Sequence, residues 1–217
     1  MIVSRQKNID QIIKSLEDYK KIFLIGCGEC ATICKSGGEE EVKIMRDLLT
    51  AAGKVITGSS LPSAPCLAAK IKIELAKNAA ALKDADAVLV LACGLGVQSI
   101  KENDRLGKDI LPACDTLFGA VMNGRGDFYG KCLACGECVL GETSAICPVT
   151  LCPKGMLNGP CGGMDKGKCD VDKKSDCAWV LIYRELEKKE KLNNLRKIQP
   201  AKNHQKALRP AKMIAHK

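Results

Sequence analysis

Aromatic residues and long apolar runs are both scarce in this sequence. Phe, Trp and Tyr make up 3% of the 217 residues, so the chain offers few platforms on which nucleic-acid bases could stack. No apolar run approaches the roughly 18 residues of a membrane-spanning helix, and residues 1–7 lack the apolar segment of a secretory signal. These absences favour a soluble cytoplasmic protein without membrane partners, and they disfavour nucleic-acid binding.

Excess positive charge is confined to the end of the chain. The net charge is +9, and residues 188–217 hold ten Lys or Arg against one acidic residue, so residues 1–187 are neutral overall. A solvated basic tail is the simplest interpretation. Docking on RNA, on a membrane surface or on an acidic partner is the alternative.

Cysteine is abundant, with fourteen residues. In a reducing cytosol these would remain thiols, so metal binding accounts for them better than disulfides do. Eight lie in a stretch broken by glycine and proline that has few large apolar side chains, and such a segment needs metal ions to hold it. The eight predicted ligands are Cys132, Cys135, Cys138, Cys147, Cys152, Cys161, Cys169 and Cys177.

The first three of these cysteines have a spacing that is typical of iron–sulfur proteins. The C-x2-C-x2-C run at Cys132, Cys135 and Cys138 lets one turn direct three thiolates inward, and a later Cys-Pro pair at Cys147 or Cys152 supplies the fourth ligand. Zinc is the alternative, since four-cysteine zinc sites also begin with C-x2-C pairs.

The first half of the chain alternates between strand and helix patterns. The predicted strands are 21–26, 54–57, 85–92 and 109–112, and the predicted helices are one capped by Asn8, then 39–52, 64–82 and 97–103. This alternation predicts a small doubly wound parallel α/β sheet, with the functional site at the carboxyl ends of its strands.

Cysteines follow these predicted strands. Cys27 follows the first strand, Cys93 follows the third, and Cys30 and Cys34 lie about one turn apart beside Cys27. These four make a possible [4Fe–4S] site, with Cys66, after the second strand, as a substitute or fifth candidate.

Other interpretations of these cysteines remain open. Cys27 and Cys30 could form a thioredoxin-like redox pair, the Gly94-Leu-Gly96 run could begin a dinucleotide fingerprint, and any one thiol could pack as a small apolar group. Cys114 is expected to be a packed thiol of that kind.

The rest of the chain is expected to form a linker, a module and a tail. Glycines break residues 115–131 into a linker, and a helix from Ala178 places Trp179 against the metal module. Pro200 and Pro210 end the regular pattern, which predicts an extended or disordered arm. The expected domains are therefore 1–118 (α/β), 119–187 (cysteine-rich metal module with its C-terminal helix) and 188–217 (basic tail).

Three stretches of the chain carry a resemblance to a known family. They are Gly-Cys-Gly-Glu-Cys-Ala-Thr-Ile-Cys at 26–34, Leu-Ala-Cys-Gly-Leu-Gly-Val-Gln at 91–98, and the run from 132 that includes Asn-Gly-Pro-Cys-Gly-Gly at 158–163. Over residues 1–187 the chain resembles the MetV family, the small subunits of the two-subunit methylenetetrahydrofolate reductases of anaerobic bacteria. It departs from the family pattern at Ser144 and Ala145, where glycines are usual.

The resemblance implies a function and partners. The partner would be a MetF-type subunit, a TIM barrel that binds FMN and folate and reduces methylene- to methyl-tetrahydrofolate. This chain would have no catalytic residues and would pass electrons through two or more [4Fe–4S] clusters to that FMN, with a ferredoxin or another electron-donor protein as their source. The resemblance also implies zinc, without assigning its ligands.

Two other functions compete with this one. A zinc-binding structural or docking module, of the same complex or one that holds nucleic acid or protein, would explain the basic tail and the C-x2-C spacing but not the cysteines at the strand ends. A thiol oxidoreductase built on Cys27 and Cys30 would leave Cys34 and Cys93 without a role.

Overall fold

The computed structural model describes residues 1–207 and 209–213. The chain divides into two units, Met1–Phe118 and Gly119–Lys217, and each has its own hydrophobic core. In the described part of the chain, no helix is both long and apolar enough to cross a bilayer.

The first unit is built on a four-stranded parallel sheet, which confirms the predicted α/β class. Its order is β3-β2-β4-β5. The strands are β2 (Lys21–Ile25), β3 (Val55–Ser60), β4 (Ala87–Val90) and β5 (Asp109–Pro112). Each adjacent pair is parallel, so the carboxyl ends of all four strands meet at one edge.

Six helices belong to this unit. They are α1 (Ile9–Ser15), α2 (Cys30–Ile33), α3 (Glu39–Ala51), α4 (Ala68–Lys77), α5 (Ala79–Asp84) and α6 (Gly94–Asn103). Asn8 caps α1 as predicted, accepting the N–H of Asp10 at 3.0 Å. The prediction of one helix over 64–82 is wrong, because the chain breaks at Asn78, which is not helical and lies between α4 and α5.

Helices cover both faces of the parallel sheet, as a doubly wound fold requires. Ile22 and Leu24 of β2 pack in a core with residues of α1 and α3. Phe23 and Ile25, which alternate with them along β2, pack in a second core with residues of α4, α5 and α6. Because β2 is buried on both faces, its sequence from Ile22 to Ile25 is a continuous apolar run and not an alternating pattern.

A second sheet, in the order β1-β6-β7, was not predicted. Its strands are β1 (Ile2–Gln6), β6 (Cys114–Met122), which contains the division between the units, and β7 (Phe128–Gly130). The prediction of a linker over 115–131 is therefore wrong. Asn123 makes the turn between β6 and β7, because its side-chain oxygen accepts the N–H groups of Arg125 and Asp127 at 2.9 Å.

The second unit has little regular structure. Beyond the hairpin it contains α7 (Pro148–Leu151), α8 (Ala178–Lys188) and two 3-10 turns, Leu192–Arg196 and His204–Ala207. Its core is small, with Trp179, Ile182 and Leu186 of α8 buried next to Cys177. Trp179 packs inside the unit as predicted, and its indole N–H donates to the Met156 carbonyl at 2.8 Å.

As far as Lys206, the basic tail does not form the free arm that the sequence predicts; position 208 and residues 214–217 of the tail lie outside the described residues. Gln199 is bonded to Asn158, and Lys202, Asn203 and Lys206 are bonded to Glu137. We call residues 199–206 the C-terminal strap. These hydrogen bonds join residues that are far apart in the sequence, so the local composition of the tail does not predict them.

Candidate functional site

Three strand ends and one helix bring five cysteines to the carboxyl edge of the parallel sheet. Ile25 and Val90 are paired at the ends of β2 and β4, so Cys27 and Cys93 leave neighbouring strands side by side. Cys66 follows the adjacent strand, β3. Cys30 begins α2 and Cys34 ends it, with the Cys34 N–H donating to the Cys30 carbonyl at 3.0 Å.

The electrostatics show that these five sulfurs share one neighbourhood. Burial raises the pKa of the Cys34 thiol, and the sulfurs of Cys30, Cys27 and Cys93 raise that pKa further. Cys66 is an exposed residue, yet partial burial of its sulfur raises its pKa, and the same three sulfurs add to the shift. A raised pKa favours the neutral thiol, so these groups would act as thiolates only with a positive metal group bound to them.

Glycine brings the loop after α2 onto the end of β4. A Cβ at Gly37 would lie 1.8 Å from the carbonyl oxygen of Leu91, and a Cβ at Gly26 would lie 2.6 Å from the Gly37 oxygen. The Cys27 N–H donates to that same Gly37 oxygen at 2.9 Å. The loop that carries Cys27, Cys30 and Cys34 can therefore pack beside Cys93 only because two of its positions lack a side chain.

Packing also explains a glycine of the Gly94-Leu-Gly96 run. A Cβ at Gly96 would lie 3.1 Å from both the Ala92 Cβ and the Pro65 Cγ. The Gly94 N–H donates to the hydroxyl of Thr116 at 2.7 Å. Gly96 thus has a packing role that needs no nucleotide, whereas the hydrogen bond at position 94 uses a backbone N–H that any residue except proline would supply.

Cys114 is a packed thiol, as the sequence predicts. It is buried, and its Sγ donates to the Ser36 carbonyl at 3.3 Å. Burial raises the pKa of this thiol to about 12. Cys114 is therefore poorly suited to act as a thiolate ligand at neutral pH.

In the second unit, four of the eight cysteines line the same cavity. Cys152, Cys161, Cys169 and Cys177 all line a small cavity of about 10 Å³. Lys154 lies at its edge, where its ammonium donates to Asp170 at 2.5 Å and interacts with the sulfur of Cys161. The sequence does not determine which of the eight cysteines would share a metal, and this cavity brings four of them together.

The C-x2-C-x2-C loop turns tightly around its own thiols. The Ala134 N–H donates to the Cys132 Sγ at 3.3 Å, and the Cys135 Sγ donates to the Glu137 carbonyl at 3.5 Å. Ala134 and Gly136 both have left-handed backbone conformations, with φ of 51° and 77°. Cys147 lies apart from this run in sequence and accepts from the Thr150 hydroxyl at 3.5 Å.

Two residues that sequence analysis missed hold the strap. The Glu137 carboxylate accepts from the Lys206 ammonium at 2.8 Å and from the Asn203 N–H at 2.9 Å. The Asn158 amide donates to the Gln199 carbonyl at 2.9 Å and accepts its N–H at 2.7 Å. Asn158 begins the Asn-Gly-Pro-Cys-Gly-Gly run, so that motif was the available signal.

A large cavity in the second unit is separate from the cysteines. It has a volume of about 490 Å³ and lies between α8, residues 157–160 and the segment up to Gln199. It contains none of the eight predicted metal ligands.

All fourteen cysteines are free thiols. In the described part of the chain, no three His, Cys, Asp or Glu side chains are arranged to hold one metal ion as they stand. A four-iron cluster requires a different arrangement of thiolates. Each thiolate binds a different iron, so the cysteine sulfurs lie farther apart than they do around one ion. The assignment of metals to these cysteines thus stays a prediction.

Comparison with known proteins bears on the second unit. Residues 111–205 match the family model described as methylene-tetrahydrofolate reductase C terminal. This part of the chain is similar to the C-terminal region of methylenetetrahydrofolate reductases. The matched region begins in β5, contains all eight cysteines of the second unit and reaches into the C-terminal strap, whereas Cys27 to Cys93 lie outside it. No curated protein and no solved structure matches the chain.

Proposed function

We propose that this chain is a MetV-type electron-transfer subunit of a methylenetetrahydrofolate reductase complex. It carries iron–sulfur clusters that pass electrons to the FMN of a MetF-type subunit, where methylene-tetrahydrofolate is reduced to methyl-tetrahydrofolate. The observation that carries the proposal is the meeting of five thiols at the strand ends, in a chain whose other unit is similar to the C-terminal region of the reductase. A chain that only docked on the reductase would have no need of those thiols.

The strand-end thiols fit a [4Fe–4S] cluster by their chemistry. Cys27, Cys30, Cys34 and Cys93 provide the four thiolates that such a cluster takes, and Cys66 is a fifth sulfur within the same neighbourhood. When bound, the cluster would supply one-electron redox chemistry. The donor set is all sulfur, which favours iron–sulfur clusters or zinc over magnesium or calcium.

The protein around these thiols is arranged to hold negative charge. Cys93 is the N-cap of α6, so its sulfur lies at the positive end of a ten-residue helix. Cys27 is buried, and glycines at 26 and 37 close the loop against β4. Such burial limits the access of water and lowers the local dielectric, and both effects tune a reduction potential.

A second candidate function, zinc-dependent structure or docking, is favoured by one observation in the second unit. The cavity shared by Cys152, Cys161, Cys169 and Cys177 has a volume of about 10 Å³, roughly the space of one water molecule. Four thiolates around one small ion is the composition of a structural zinc site. These four thiols would have to close around the ion, because no three of the described side chains are arranged to hold one as they stand. On this assignment Cys147 is the remaining partner for Cys132, Cys135 and Cys138.

The deciding experiment measures iron, acid-labile sulfide and zinc per chain, with a visible spectrum, on protein purified without oxygen. We expect iron and sulfide in equal amounts and a brown colour that bleaches on reduction. Cys30→Ala should lower iron and sulfide, while Cys114→Ala, which removes a packed thiol outside the group, should leave both unchanged. Colourless wild-type protein that contains only zinc would overturn electron transfer and leave the structural role.

The partner assignment has its own test. We expect the chain to co-purify with a flavin-containing reductase subunit when the two are produced together, and reduced ferredoxin to bleach the FMN of that complex. FMN reduction at the same rate with Cys30→Ala would show that the strand-end thiols are not on the electron path.

A further inference from the structure

The N-terminal strand β1 lies against Cys34. β1 is an edge strand of its sheet, so one side of its backbone is free to bond outside the sheet. The Cys34 Sγ lies 3.8 Å from the Ile2 carbonyl oxygen. The backbone N–H of Ser4 points to the same side of the strand as the Ile2 carbonyl, so it faces the same sulfur, and its interaction with that sulfur lowers the pKa of Cys34 against the larger effect of burial, which raises it. A thiol at position 34 can donate to Ile2, whereas a thiolate can accept from Ser4.

The side chain of Ser4 is held in place by a hydrogen bond. Its hydroxyl lies 2.8 Å from that of Ser36, and both residues are buried, at 4% and 1% exposed. Ser36 is in turn fixed in the loop after α2, where its N–H donates to the Ala31 carbonyl at 2.9 Å. The position of the Ser4 N–H relative to α2 and Cys34 is thus fixed by the fold.

We propose that Ser4 is a positioning residue that tunes the reduction potential of the strand-end cluster by donating its backbone N–H to the Cys34 sulfur. This inference rests on the proposed function, because it needs a cluster bound through Cys34. It assigns β1 a role in the redox site, although β1 carries no cysteine.

The sign of the effect follows from charge. Reduction adds one electron to the cluster and increases the negative charge on its sulfur ligands. A hydrogen bond from N–H therefore stabilises the reduced form more than the oxidised form, and it raises the reduction potential. Loss of the bond should make the cluster harder to reduce.

Two substitutions at one position separate the N–H from the hydroxyl. Ser4→Pro removes both groups, while Ser4→Ala removes only the hydroxyl bond to Ser36. Proline is tolerated on edge strands when its position does not bond to the neighbouring strand, and the Ser4 N–H is directed to Cys34. Both variants lack the hydroxyl, so a difference between them comes from the N–H or from the proline ring that replaces it, and the isotope measurement described below separates these two causes.

The experiment uses the full chain purified without oxygen. Iron and sulfide are measured first, and the protein is then titrated with dithionite while the EPR signal of the reduced cluster is followed. The signal that disappears in Cys93→Ala is assigned to the strand-end cluster. We expect a more negative midpoint potential in Ser4→Pro than in Ser4→Ala, and a value near that of the wild type in Ser4→Ala.

The outcomes separate the inference from the function on which it rests. Equal potentials in the two variants, at full iron and sulfide content, would overturn the role of Ser4 and leave the electron-transfer proposal standing. Wild-type protein without iron and sulfide would overturn both.

A second measurement does not depend on the proline variant folding. Protein labelled with 15N only at serine should show a weak nitrogen coupling to the reduced cluster in pulsed EPR. Ser4→Ala labelled in the same way keeps the N–H but carries no label at position 4, so that coupling should disappear. Identical couplings in the two proteins would contradict the proposed bond.

Discussion

Gly37 lies where the loop after α2 touches the end of β4. A Cβ there would lie 1.8 Å from the Leu91 carbonyl oxygen and 3.0 Å from the Leu91 Cβ. Leu91 is fully buried, and a backbone oxygen cannot rotate away as the end of a flexible side chain can. The absence of a side chain at this residue is therefore a condition for bringing Cys27, Cys30 and Cys34 to Cys93.

We expect Gly37→Ala to destabilise the protein by about 3 kcal/mol, the upper end of the range for overpacked sites, and to lower its iron content. Urea unfolding of the anaerobic protein measures the first effect and metal analysis the second. Gly124→Ala is the control, because a Cβ at Gly124 meets no atom within 4 Å, and its effect should stay within about 0.5 kcal/mol. Equal stability of the two variants would show that the loop relaxes around Leu91.

Glu137 is the residue that fastens the C-terminal strap beside the C-x2-C-x2-C loop. Its carboxylate binds the Lys206 ammonium and the Asn203 N–H, and its own carbonyl accepts from the Lys202 ammonium. These groups lie at the surface, with the Glu137 side chain 27% and the Lys206 side chain 53% exposed, so each bond contributes little to global stability. Their common effect is local, on whether the strap stays closed.

We expect Glu137→Ala to release the strap while the global unfolding transition stays nearly unchanged. Limited trypsin digestion should cut after Lys202 and Lys206 faster than in the wild type. Glu185→Ala is the matched control, since it also removes an acid that is paired with two lysines, but those partners, Lys188 and Lys189, lie on or directly after the same helix. Identical cleavage of the two variants would argue that Glu137 does not hold the strap.

At the scale of whole elements, the strap is held like an added strand. The Asn158 amide exchanges two hydrogen bonds with the backbone of Gln199, which is the pattern that two paired backbone residues make. An amide side chain can do this because it carries a donor and an acceptor side by side. A segment that forms no regular ladder thus becomes fixed to the turn at 158–160.

Two substitutions of Asn158 should separate these bonds. Asn158→Ala removes both, so we expect faster hydrogen exchange at the Gln199 amide. Asn158→Asp keeps the acceptor for that amide but places a carboxylate oxygen against the Gln199 carbonyl, so exchange should rise less than in the alanine variant. Mass spectrometry of exchange over residues 195–203 is the measurement, and unchanged exchange in Asn158→Ala would contradict the clamp.

The parallel sheet could be predicted from the sequence, but the second sheet could not. The strand 21–25 is a short apolar run bounded by lysines and glycine, and its burial between two helix layers makes its pattern unambiguous. The strand Cys114–Met122 is exposed at most positions, so it carries no such pattern. The glycines between residues 115 and 131 indicate breaks rather than strands, while the turn-forming hydrogen bonds of Asn123 are not visible without coordinates.

The same contrast applies to the candidate sites. Cysteines at the ends of parallel strands could be grouped from sequence, because topology alone brings strand ends together. In the second unit no regular topology relates Cys152 to Cys177, and their common cavity depends on turns with no strong sequence signal. The structure supplies this grouping, and the bonds of Ser4 and Glu137 as well.

At the scale of the whole molecule, the two units present their cysteines differently. The first unit has cores on both faces of a sheet and brings its thiols to one edge of an already stable fold. The second has a core of four buried residues, too small to stabilise nearly a hundred residues by burial alone. Metal binding should therefore be coupled to folding in the second unit far more strongly than in the first.

This difference predicts how the two groups of thiols respond to mutation. Cys30→Ala should lower iron and sulfide while the far-UV circular dichroism stays near that of the wild type, because the parallel sheet does not depend on its thiols.

Cys161→Ala should lower zinc and make residues 147–177 sensitive to trypsin, because its site holds a segment with little core. Cys114→Ala controls for the loss of a thiol. If Cys161→Ala kept both its zinc and its protease resistance, Cys152, Cys161, Cys169 and Cys177 would not form one metal site, and the second unit would have to be stabilised by Cys132, Cys135, Cys138 and Cys147 instead.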